Sequence, residues 1–157
     1  MDETIASPLR LCVRRSAERD ATRTVSVVID VPADVRFVED AVELMARHCF
    51  SGAEPCKRTG FRLRVLLAEA LTNSILFGAA GNPSRSVRVA AELAEKTIRL
   101  QVTDDGPGFD PREVPDPTAP GALGRPIGRG LFLIRNLADR VEFNEQGNSI
   151  WMTLPRS

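Results

Sequence analysis

The chain has 157 residues, 43% of them apolar and 27% charged, a length that suits one compact domain with its own core. Lys plus Arg and Asp plus Glu number 21 each, so the formal net charge is zero, which argues against a bulk nucleic-acid or polybasic membrane binder. No apolar run approaches the roughly 20 residues of a membrane span, and the N-terminus shows no signal peptide.

Residues 1–22 are polar and irregular, with Leu9 to Arg15 alternating apolar and basic; they read as a tail or an edge strand. Compact structure is expected from Thr24. TVSVVIDV is a strand that Pro32 stops. A helix follows, with Asp34 as N-cap and Val35, Val38, Val42 and Met45 at helical spacing. SGAEP breaks it. A longer helix runs from about Lys57 to Phe77, closed by Gly78. SVRVAAEL and KTIRLQVTD form a hairpin pair of strands. Between Gly106 and Gly130 lie six of the 11 prolines and six of the 11 glycines, a long loop of the kind that is functional or disordered. GLFLIRNLAD is a short helix, and RVEFNE and SIWMTL are the last two strands. The order predicts an α+β fold, a two-layer sandwich with a mixed sheet and helices on one face. Residues 1–22 stand apart as tail or edge strand, and 23–157 form the domain.

Three local patterns carry chemistry. VLLAEALTNSILF, Val65 to Phe77, is apolar nearly all round and predicts a buried helix; Glu69 is its one charge. Glu69 and Asn73 are one turn apart on one face. That pair suits hard-cation coordination and hydroxyl activation, or a polar stripe that grazes solvent. In VTDDGPGF a strand runs into two aspartates and then Gly106 and Gly108. The carboxylate can take a hydrogen bond from an amine and the glycines let backbone approach a ligand, or the segment is an ordinary turn. In GRPIGRGLFLI, Gly128 and Gly130 precede an apolar helix, with Arg125 and Arg129 adding positive charge. This is an anion site, or a helix start that needs flexible backbone.

In this order the three patterns resemble the Bergerat-fold (GHKL) ATPases, and most closely their anti-sigma-factor serine/threonine kinases. EALTN with a following glycine, DDGPGFDP and GRGLFLIRNLADRVEF ending in GNSIWM carry the resemblance, from about Thr24 to Leu154. It implies ATP and Mg²⁺ as cofactors. Glu69 would polarise the attacking hydroxyl, Asn73 would hold Mg²⁺, and Asp104 would accept the adenine amino group. Gly106 and Gly108 would let the turn close over the nucleotide. Gly128 and Gly130 would let backbone amides reach the phosphates, with Arg129 and Leu131 beside them. The Pro/Gly-rich loop would be an ATP lid. The implied partner is an anti-anti-sigma (STAS) protein, with a sigma factor as a second candidate and no nucleic acid or membrane. A homodimer through the first helix or sheet edge is a further expectation.

The chain departs from the family pattern at two places. Phe77 stands where many relatives have histidine. Asn148 and Ser149 follow Gly147 where a threonine is usual, and Ser149 is the candidate substitute. His48 lies inside the first helix, against a histidine-kinase reading. Cys12, Cys49 and Cys56 show no metal spacing and fit free thiols in the cytoplasm. Two rival readings stay open: a sigma-sequestering module that binds ATP without kinase activity, and a kinase of other signalling partners.

Overall fold

The computed structural model describes residues 9–17, 23–50, 56–80, 82, 84–108, 110, 112 and 126–156. Six strands form one sheet: β1 (Arg10–Ala17), β2 (Arg23–Pro32), β3 (Ser86–Leu93), β4 (Thr97–Thr103), β5 (Arg140–Phe143) and β6 (Ser149–Pro155). Their order is β1-β2-β3-β4-β6-β5. Three helices, α1 (Val38–Cys49), α2 (Lys57–Asn73) and α3 (Pro126–Leu137), supply the second layer. The fold is α+β, with helices on one face, as expected.

Every pairing in the sheet is antiparallel, which corrects the expected mixed sheet. The helical crossover through α3 does return β5 in the same direction as β4. The β5–β6 hairpin then places β6 between them, so the two like-directed strands never pair. Within residues 1–22, Arg10–Ala17 is a strand that pairs with β2 along its whole length, so the sheet begins before residue 23.

Strand alternation builds the core. Val27, Ile29 and Val31 of β2, Val87 and Val89 of β3, Ile98, Leu100 and Val102 of β4, and Ile150, Met152 and Leu154 of β6 are all buried beneath the helices. Their alternates face outward and are polar in most places, as in the Asp30–Arg88 pair at 3.1 Å. Trp151 lies on that outer face, with the Arg99 guanidinium 5.6 Å from its ring centroid. Across from the strands, α1 buries Ala41, Val42, Met45, Ala46 and Cys49, and α2 buries Leu63, Leu66, Leu67, Ala70 and Leu71. Burial pushes the Cys49 thiol up to about 12, so it behaves as a small apolar side chain.

Two expectations for the helices need adjusting. Asp34 does cap, but it caps a 3-10 turn (Val35–Phe37) by accepting from the Arg36 N–H at 3.0 Å; α1 proper starts at Val38. The second helix is not buried all round. Its α-helical part stops at Asn73 and widens into a π turn (Ser74–Gly78), closed by Ala79 N–H donating to the Ser74 carbonyl at 2.8 Å. Leu76 and Phe77 on that turn are nearly half exposed.

Candidate functional site

The C-terminal part of α2, the end of β4, the middle of α3 and the β5–β6 turn converge on one cavity of about 290 Å³. Its walls are largely apolar: Ala70 and Phe77 from the α2 side, Val102 and Ile150 from the sheet, Leu131 and Ile134 from α3. Polar groups enter at a few points, chiefly Asn73, Ser74, Asp104 and Asn148. An apolar cleft with a few placed polar groups is the usual make-up of a small-molecule site.

Asp104 follows β4 directly and is 8% exposed. Burial pushes its carboxyl above the usual aspartate range, against the pull of the Gly106 N–H and the Ser74 hydroxyl; Asp105 pushes the same way as burial. The Gly106 N–H donates to Asp104 Oδ1 at 2.8 Å. Gly78 sits directly against this carboxylate, and a Cβ there would collide with its atoms. Gly78 therefore does more than end a helix: it clears room for Asp104. Gly106 in turn packs on the Gly78 carbonyl, and Gly108, with φ +76°, packs on the Gln146 carbonyl.

Glu69 and Asn73 lie one turn apart on α2, at the point where α3 crosses it. A Cβ built on Gly130 would stand 3.0 Å from both Glu69 Oε2 and Asn73 Nδ2, so this glycine lets the two helices meet at that pair. Asn73 lines the cavity, while Glu69 is set back from it, one turn away. Among the described residues, neither Glu69 nor Asn73 is joined to a partner by a hydrogen bond or ion pair, so the polar-stripe alternative gains no internal bond. Partly buried, adjacent and without a partner among the described residues, a carboxylate and an amide are available to a ligand.

Helix α3 begins at Pro126, so Gly128 and Gly130 lie inside its first turns and not before it, which corrects their expected position. Proline suits that opening position because its missing N–H would have had no partner. The next amides, of Ile127, Gly128 and Arg129, have no carbonyl within the helix to meet, the arrangement that favours anions. Leu131 is buried and lines the cavity; Arg129 is exposed. Arg125 and most of the expected lid lie outside the described residues.

Ser149 borders the cavity, but its hydroxyl is held on the outer face of the sheet by Thr103 Oγ1 at 2.6 Å and Gln101 Nε2 at 3.1 Å. It does not stand in for a threonine facing the cavity. The residue that reaches the Asp104 turn is its neighbour. Asn148 Nδ2 donates to the Asp104 carbonyl at 3.1 Å and the Gly106 carbonyl at 3.4 Å. Sequence reasoning missed Asn148, Ser74 and Gly78 as site residues. The signal for Asn148 was the altered last glycine box; for Ser74 and Gly78 it was the serine directly after EALTN and the glycine that follows it.

The cavity fits a purine base in kind: a buried carboxylate acceptor and apolar walls for a flat ring. No group of three or more His, Cys, Asp or Glu that could hold a metal exists among the described residues. A hard cation here would take the Asn73 oxygen and draw its other ligands from phosphate and water, as Mg²⁺ commonly does.

The sequence profile of the histidine kinase-like ATPase domain matches residues 15–154. The chain belongs to this family. Relatives that it matches are named as serine-protein kinases and as anti-sigma factors. It is 30% identical over 132 residues to the serine-protein kinase RsbW of Oceanobacillus iheyensis, covering 76% of this chain and 79% of that one. It is 27% identical over 146 residues to the serine-protein kinase RsbW of Listeria innocua, covering 85% and 88%. With the anti-sigma F factor of Oceanobacillus iheyensis it shares 33% identity over 98 residues, 58% of this chain and 66% of that one. No helix among the described residues is long and apolar enough to cross a membrane.

Proposed function

We propose that this ATPase-family protein is an ATP-dependent serine/threonine protein kinase of the anti-sigma type. It transfers the γ-phosphoryl of ATP to a Ser or Thr of an anti-anti-sigma (STAS) partner in the cytoplasm, and a sigma factor is its second partner. The observation that carries the reading is the Glu69–Asn73 pair, whose side chains have no partner among the described residues, held at the α2–α3 crossing beside a cavity whose other side presents buried Asp104. The names of the relatives, serine-protein kinase and anti-sigma factor, support it.

In this reading Asp104 takes a hydrogen bond from the adenine amino group, and the apolar walls exclude water from the ring. Asn73 holds Mg²⁺, which neutralises charge on the phosphates. The amides of Ile127, Gly128 and Arg129 at the head of α3, which have no carbonyl within the helix, would bind the phosphate oxygens. Glu69 draws the proton from the attacking hydroxyl. Phosphoryl transfer is mostly positioning and charge neutralisation, so few groups suffice.

Glu69→Gln tests the assignment. The two side chains have nearly one shape, so packing and the Asn73 ligand survive while the negative charge goes. General-base contributions are typically about 10²–10⁴-fold, or about 3–5 kcal/mol of barrier. Calorimetry should show nearly unchanged Mg²⁺–ATP affinity, while labelled-phosphate transfer to a STAS partner nearly stops. Transfer at the parent rate would make Glu69 structural and favour a sequestering module instead.

A further inference from the structure

The β5–β6 turn carries an asparagine pair that no nucleotide contact explains. Asn144 Nδ2 donates to Asn148 Oδ1 at 2.6 Å, and Asn144 Oδ1 accepts the N–H groups of Asn148 at 3.0 Å and Ser149 at 3.2 Å. Asn148 then spends its amide hydrogens on the carbonyls of Asp104 and Gly106. The Asp104 N–H donates back to the Asn148 carbonyl at 3.0 Å. The left-handed Gly147, φ +72°, makes the turn that sets Asn148 in place.

We propose that Asn148, itself held by Asn144, is a positioning residue for base recognition: it straps the Asp104–Gly106 turn to the β5–β6 turn and so fixes the direction of the Asp104 carboxylate. The inference rests on the nucleotide reading above. Asp104 has its aim set from two sides. Gly78 and Gly106 pack against each other and leave no room for a shift toward α2. On the other side, among the described residues, Asn148 supplies the side-chain hydrogen bonds to the backbone of that turn. An amide suits the position because it offers two donors to two carbonyls and still accepts from Asn144. A threonine hydroxyl has a single donor, so the departure from the family's usual residue changes how the turn is held.

The test compares Mg²⁺–ATP with Mg²⁺–purine riboside triphosphate, which lacks the 6-amino group. In the parent protein calorimetry should find ATP tighter by about 10- to 100-fold, the range for one hydrogen bond to a charged group. In Asn148→Ala and Asn148→Asp that ratio should shrink to about threefold or less, because ATP binding weakens while analogue binding barely moves. Asn144→Ala should move the same way by less. Amide exchange followed by NMR gives a ligand-free readout: the Gly106 N–H should exchange about tenfold faster in Asn148→Ala, with amides in the centre of β3 and β4 unchanged. A parent-like ratio with a protected Gly106 amide overturns the proposal. So does equal weakening of both nucleotides with exchange rising across the sheet, the mark of a merely structural residue. A parent protein that binds both nucleotides equally fails the adenine reading, and base positioning with it, while Gly106 exchange still reports whether Asn148 holds the turn.

Discussion

Asp104 works against its surroundings: burial favours its neutral form, and recognition of an amine needs the anion. The sign of its pH dependence follows. Because its folded pKa is raised, protonation stabilises the unliganded fold; that stabilisation is complete below the unfolded value and is lost as pH rises through the folded one. Binding runs the other way. Adenosine, used in place of ATP so that no phosphate titrates, should bind more weakly on acidification, starting above the pH at which an ordinary aspartate protonates. Asp104→Asn should weaken binding moderately and flatten the profile, whereas Asp104→Ala should lose about 1.5–3 kcal/mol. A flat profile in the parent, measured by calorimetry, would contradict the assigned contact. Asp104 was legible in the sequence because two aspartates at a strand end followed by glycines form a local pattern. Asn148 was not, since its partners lie about 40 residues away and only pairing of β4 with β6 brings them together. Ser149 was misread for a related reason: the strand's alternation, settled by register with Thr103, turns its hydroxyl outward.

The junction of α2 with α3 depends on one missing side chain. In an exposed helix, Gly→Ala gains up to about 1 kcal/mol of propensity. At position 130 the added methyl would press on Glu69 and Asn73 together. Gly130→Ala should therefore leave the melting temperature within a few degrees of the parent and cut phosphoryl transfer at least tenfold. Unchanged transfer beside unchanged melting would remove the packing argument. Periodicity alone made α1, α2 and the strands β2, β3, β4 and β6 legible, because each buries one face at its own repeat. It could not reveal the π turn after Asn73, whose apolar letters continue the helical pattern unbroken. Nor could it fix strand order: a helix between β4 and β5 suggests a parallel neighbour, and the hairpin that intervenes is visible only in space.

For the whole molecule, a ligand that binds the folded state adds stability by mass action, about 2.7 kcal/mol at a hundredfold excess over Kd. At this size each kcal/mol is worth about 2–4 °C. Mg²⁺–ATP should accordingly raise the melting temperature by roughly 5–10 °C in the parent and in Glu69→Gln, and by much less in Asp104→Ala; equal shifts in all three would place the nucleotide elsewhere. The sequence holds one tryptophan and no tyrosine. Trp151 sits on the face of the sheet turned away from the cavity, under the Arg99 guanidinium. Its emission is thus an optical tag for that outer surface alone. Filling the cavity with nucleotide should leave the spectrum nearly still, so that a shift seen on adding a protein partner would locate the partner's landing on the exposed side of β4 and β6.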